Sequence, residues 1–126
     1  MQAYLDTQIV LRLAGGDLKR LSRSAKNAIE RYDLVVSPMV GLELKFLQEI
    51  GRSVLSPEAI LLHLEEKVDL QVCPLPFDRV SRAACFETWT RDAFDRVIVA
   101  QARCAGDAYL ISSDENIHAH YGRTVW

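Results

Sequence analysis

The chain has 126 residues, 49% apolar and 25% charged, with 15 basic against 17 acidic side chains, a formal net charge of −2 and a mean hydropathy of +0.01. At roughly 100 to 200 residues per domain this length makes one folding unit, residues 1–126, and the composition excludes disordered and collagen-like classes. No apolar run approaches the about 20 residues a bilayer helix needs, so no membrane association is expected, and the first apolar stretch carries Asp6 without a basic leader, so a cytoplasmic location is.

In chain order, AYL at 3–5 reads as a short strand ending at Asp6, followed by a helix in TQIVLRLAGG that stops at Gly15 and Gly16. Residues 21–32 place Leu21, Ala25, Ala28, Ile29 and Tyr32 on one helical face, and LVVS at 34–37 is the next strand. Ser37 and Pro38 then start a helix over about 38–50 that contains Glu43 and ends at Gly51. Ser56, Pro57 and Glu58 open another helix, EAILLHLEEKV, and LQVCPL at 70–75 is a third strand.

Asp78 is placed to cap DRVSRAACFE, and Asp92 to cap a helix over about 93–105 that ends at Gly106. YLIS at 109–112 is the fourth strand, delivering Ser113 and Asp114, and a short helix near 115–120 precedes the terminal TVW. Strands separated by helices imply parallel pairing through right-handed crossovers, hence a three-layer α/β/α sandwich on a mostly parallel sheet. In such sheets the site lies beyond the carboxyl ends of the strands.

That rule singles out four acids. Asp6 and Asp114 follow strands; Glu43 is expected to point inward from a face shared with Met39, Leu42 and Phe46; Asp95 sits one turn into a helix whose core face holds Phe94, Ile98, Val99 and Ala102. Each alone has an ordinary alternative, as a helix cap, a turn former or a surface charge, and capping is the preferred role of Asp92. Together, converging carboxylates repel and raise one another's pKa unless cations neutralise them, and an all-oxygen set suits Mg²⁺ or Mn²⁺. Such ions activate water and stabilise phosphoryl charge, which is the chemistry of phosphodiester hydrolysis. Setting four neutralised acids aside leaves 13 acidic against 15 basic groups, and 11 of the latter are Arg, the better phosphate fork; Arg91 and Arg96 flank Asp95 as candidate phosphate contacts.

LDTQIVLRL around Asp6, SPMVGLE with Gly51 beyond it, RDAFDRVIVAQA from Arg91 to Ala102 and LISSDENI around Asp114 together resemble the PIN-domain nucleases, and among them the toxin subunits of VapBC-type toxin and antitoxin pairs. The resemblance spans nearly the whole chain, and DxFDRxIxAQA is its most specific piece. It implies that Asp6, Glu43, Asp95 and Asp114 are the metal-holding catalytic acids of a Mg²⁺- or Mn²⁺-dependent endoribonuclease. It further implies Asp92 as an accessory acid, Ser112 as a hydroxyl near the metal, a homodimer, and a small antitoxin protein whose tail enters the acidic groove. Two positions depart from the family pattern: Ala93 replaces a frequent Pro, and Lys45 falls two residues after Glu43 where a Lys four residues on is common.

Other reactive groups fit no pattern. Cys73, Cys85 and Cys104 have no metal or disulfide spacing and are expected to be buried, His63 to be partly buried on its helix, and His118 and His120 to lie in an exposed loop. Three other readings remain: a solitary PIN-like nuclease, a receiver-like Mg²⁺-binding module, which would need a Lys after the last long strand where SSDENIHAH has none, and a non-catalytic RNA-binding module.

Overall fold

A computed structural model describes residues 1–126. Five strands, β1 (Gln2–Leu5), β2 (Asp33–Val36), β3 (Gln71–Val72), β4 (Tyr109–Ile111) and β5 (Thr124–Val125), form one sheet in the order β3-β2-β1-β4-β5, every pair parallel. Seven helices connect them: α1 (Thr7–Ala14), α2 (Arg23–Arg31), α3 (Pro38–Glu49), α4 (Pro57–Val68), α5 (Phe77–Ala84), α6 (Ala93–Cys104) and α7 (Glu115–His120). The three-layer α/β/α sandwich expected from the alternation is the architecture found.

The sheet is the core. Tyr4, Leu5, Val36, Leu110 and Ile111 are at most 1% exposed, as strands covered on both faces must be, and Val97 to Ala102 of α6 are buried without a break. Inside, Gln101 accepts from the Ser37 hydroxyl at 2.8 Å and donates to Cys73 Sγ at 3.1 Å, so the buried amide is paired.

Sequence order explains the position of the site. From β1 the chain steps outward through β2 to β3, then returns to place β4 on the other side of β1. The crevice beyond the carboxyl ends of β1 and β4 is therefore the switch point of the sheet, where a ligand can enter between diverging connections.

Several expectations are corrected. The terminal TVW supplies a fifth strand: Thr124 and Val125 pair with Leu110 and Ile111. The third strand covers only Gln71 and Val72, because Pro74 and Pro76 lack the N–H groups that would extend the ladder. Helix α5 starts at Phe77 with Pro76 before it, so Asp78 lies in the first turn, paired with Arg82 at 3.0 Å, instead of capping. Of the cysteines only Cys73 is buried; Cys85 is exposed and Cys104 half-buried, since α5 and the end of α6 lie at the surface. His63 is exposed on the outer face of α4, and His118 and His120 are exposed on α7, not in a loop.

Candidate functional site: an acidic cleft at the switch point

Three helices begin at the cleft, each behind an Asp. Asp6 caps α1, its Oδ1 accepting from the Thr7 amide at 2.8 Å; Asp92 caps α6 through the Asp95 amide at 3.1 Å; Asp114 caps α7 through the amides of Asn116 and Ile117 at 2.8 and 2.9 Å. The ordinary capping roles and the site roles thus coincide in the same carboxylates. The positive ends of three helix dipoles partly offset the repulsion among them.

The cleft has a volume of about 220 Å³. Five carboxylates line it, from Asp6, Glu43, Asp92, Asp95 and Asp114, joined by Thr7, Gln8 and Ser113; no apolar and no basic residue takes part. All four sequence-predicted acids therefore share one pocket, and Asp92 lines it with them. A larger groove, about 480 Å³ between α4 and β3, holds only Glu58 and Glu65 among its ionisable residues, far fewer than the switch-point cleft.

Asp6 is the fixed member. It is 6% exposed, and its Oδ2 accepts from the Ser112 hydroxyl at 2.7 Å, while Ser112 Oγ accepts from the Asp114 amide at 3.1 Å. Ser112 does not line the cleft; it ties the acid after β1 to the acid after β4. Thr7 performs a similar task across the cleft, its hydroxyl donating to Glu43 Oε1. Reasoning from the sequence missed Thr7, although its place beside Asp6 at the strand end was the available signal.

Glu43 reaches the cleft by a route other than the expected one. The buried face of α3 is Val40, Leu44 and Leu47, whereas Leu42 and Phe46 are 59% and 46% exposed. Glu43 stands between those faces and meets Thr7, because α3 borders the cleft instead of turning that face into the core. Phe46 leans on Phe94 at 6.0 Å between ring centroids, joining α3 to the first turn of α6.

Asp95 is the uncommitted member: no side-chain hydrogen bond or ion pair engages it. Burial, then the neighbouring charges of Asp92, Asp6, Asp114 and Glu43, push its carboxyl up to about 7. Burial likewise raises Asp6, opposed by the Ser112 and Thr7 hydrogen bonds and reinforced by Asp114 and Asp92. Glu43 is raised by burial, opposed by Thr7 and reinforced by Asp6 and Asp92.

The donor set is oxygen only, which suits a hard divalent cation, and the cleft contains no cation of its own. As the side chains stand, no three of the acids converge tightly enough on one point to coordinate an ion, as expected when like charges turn apart. The other two predicted positions lie outside the cleft. Arg96 Nε donates to the Thr90 carbonyl at 2.8 Å, which braces the turn before α6, and Arg91 is exposed without a hydrogen bond to a cleft residue.

Comparison with known proteins agrees with the fold. A chain of the VapBC2 complex of Rickettsia felis, solved bound to a DNA fragment from the promoter, superposes with a TM-score of 0.61 at 13% identity, over 94% of this chain and 92% of that one. No curated protein sequence matches the chain. The PIN domain model matches residues 3–123, from β1 through α7, and the chain belongs to the PIN domain family.

Proposed function

We propose that this chain is a nuclease that hydrolyses RNA phosphodiester bonds with Mg²⁺ or Mn²⁺, and that it is the toxin of a toxin and antitoxin pair. The observation carrying the proposal is the gathering of five carboxylates in one polar cleft with no basic residue to balance them. PIN domains are generally nucleases, which supports the activity class. Such a group of acids is costly in isolation and stabilised by divalent cations.

In this reading Asp6, Glu43, Asp95 and Asp114 hold the ion, with Asp92 as an accessory. The ion, when bound, supplies charge stabilisation for the phosphoryl group and an acidified water. Ser112 and Thr7 would orient Asp6 and Glu43 for the ion through the hydrogen bonds they already make. Asp95, whose carboxyl burial and the neighbouring carboxylates push up to about 7, is the acid whose charged form a bound cation would favour.

The receiver-like alternative is disfavoured by the residues after β4, Ser112, Ser113 and Asp114, which include no Lys. A solitary PIN nuclease and a non-catalytic RNA-binding module are separated from the proposal by assay. Purified protein should cleave single-stranded RNA with Mg²⁺ or Mn²⁺ and stop with EDTA, and Asp95→Asn should be inactive; equal activity in wild type and variant would refute the assignment.

The toxin role, with a small antitoxin protein as partner, draws support from the fold shared with VapBC2 and from the exposed Leu42 and Phe46 on α3 and Ile50 just past its end, beside the acidic cleft. An apolar stripe of that kind marks a surface for a partner. We also propose a homodimer acting in the cytoplasm; sedimentation of the isolated chain and of the chain copurified with the product of its neighbouring gene tests both assemblies.

A further inference from the structure

Parallel pairing brings Trp126 to the same edge as the acids. Val125 is in register with Ile111, and its carbonyl accepts from the Ser112 amide at 3.2 Å, so Trp126 emerges beside Ser112 and Ser113. There it meets Arg12, from the last turn of α1, whose Cζ lies 5.4 Å from the indole centroid.

Arg12 is distinctive among the cations. It is the one basic side chain that hydrogen-bonds to a cleft-lining residue, Nη1 to Ser113 Oγ at 3.3 Å, and the same nitrogen reaches the Arg20 carbonyl at 3.4 Å. Both contacts exceed the usual N–H···O range of about 2.7 to 3.2 Å. No carboxylate pairs with the guanidinium, and no hydrogen bond engages its Nε or Nη2. A cation with spare donors at the rim of an acidic cleft is placed to take an anion, and Trp126, 36% exposed, offers an aromatic surface next to it.

Resting on the nuclease reading above, we propose that Arg12 and Trp126 form a substrate subsite at the mouth of the cleft, Arg12 taking a phosphate of single-stranded RNA and Trp126 stacking an adjacent base. A guanidinium over an indole and a base on an indole are both ordinary cation–π and stacking contacts, and neither reads sequence. The pair fixes the strand's path past Asp114, so it sets which phosphate enters among the acids. Arg91 and Arg96, the other Arg candidates for a phosphate contact, do not line the cleft.

Anisotropy of a fluorescent single-stranded RNA, titrated with wild-type protein, Arg12→Ala and Trp126→Ala in Ca²⁺ buffer over a salt series, tests the subsite beside a Mg²⁺ cleavage assay of the same RNA. Loss of one phosphate contact should reduce the slope of log affinity against log salt by about 0.7 in Arg12→Ala, while Arg12→Lys keeps the slope. Trp126→Ala should bind roughly five- to a hundredfold more weakly with the slope unchanged. Arg12→Gln, which keeps a donor toward Ser113, replaces Arg12→Ala if thermal melting shows that variant unfolded. Equal affinity and slope in wild type, the Arg12 variant and Trp126→Ala would overturn the subsite. Arg12-dependent binding without cleavage would uphold the subsite and overturn the nuclease reading instead.

Discussion

Two regions of the molecule bury carboxylates, and they do so in opposite ways. Glu87, 5% exposed, lies in the segment between α5 and α6, where it is ion-paired to Arg103 and accepts from Trp89 Nε1 at 2.6 Å. Around it Arg103 covers the Tyr121 ring at 4.8 Å and Trp89 stacks on His120 at 5.0 Å, so the acid, its cation and the rings beside them are all engaged. In the cleft, five carboxylates share about 220 Å³ with no cation, and Asp95 has no partner for its side chain. A buried acid matched by an Arg is a structural joint; a group of acids gathered around one buried member, Asp6, without a cation is the arrangement that an external charge would stabilise.

The sharpest way to break this contrast is by activity. Asp95→Asn removes a cleft oxygen donor without changing shape and should reduce Mg²⁺-dependent RNA cleavage at least about 100-fold, the scale lost when a charge-stabilising group at a reacting centre is removed. Glu87→Gln should retain cleavage in whatever fraction remains folded. Initial rates of both variants on one RNA, normalised to folded protein, check this.

Stability should move the other way. Glu87→Ala takes the partner from Arg103, which is 40% exposed, and the acceptor from Trp89 Nε1, and should cost about 1.5 to 3 kcal/mol, the scale of hydrogen bonds to a charged group. Asp95→Asn removes a repelled charge and should raise the metal-free melting temperature by a few degrees, about 2 to 8 °C for each kcal/mol gained in domains of this size. Denaturant and thermal melts of the two variants would show opposite signs; a loss in both would equate the regions.

The pH dependence sharpens the same point. Asp95 is raised from 3.8 to about 7, so between those values the folded protein holds a proton that the unfolded chain has released. Stability of the metal-free protein should therefore fall as pH rises from about 4 through 7, and Asp6 and Glu43, both raised, push in the same direction. Saturating Mn²⁺ should flatten or reverse the trend, since the cation binds the deprotonated form. Melts at intervals from pH 4.5 to 8, with and without Mn²⁺, measure it, and Asp95→Asn should show a shallower slope.

The smallest effect expected is that of Ser112→Ala. It removes the hydroxyl joining Asp6 to the Asp114 amide and should weaken metal binding by about 10- to 100-fold, the usual range for a group that orients a ligand. A Mn²⁺ titration that shows no change would mean that Asp6 is held by its cap to Thr7 alone.

Much of the site was legible because its acids sit where local signals are strong. Asp6 and Asp114 follow short apolar strands, and Asp92 and Asp95 open a helix whose buried stretch is continuous. What the sequence hid depends on distance in space. The orientation of Glu43 follows from where α3 packs and not from its periodicity, which pointed to Met39, Leu42 and Phe46. Strand β5 has two residues and takes its identity from β4, and the meeting of Arg12 with Trp126 exists only because β5 is there. Arg96 reads as a phosphate contact in sequence; that its Nε also braces the turn before α6 through the Thr90 carbonyl is visible only in space.

The central claim, that the cleft exists to hold a divalent cation, is tested most directly by calorimetric titration of Mn²⁺ into the metal-free protein at pH 7 in two buffers of different ionisation enthalpy. Saturable binding with proton release, retained in Glu87→Gln and lost in Asp95→Asn, is the result expected. Absence of binding, or equal binding by wild type and Asp95→Asn, would contradict it.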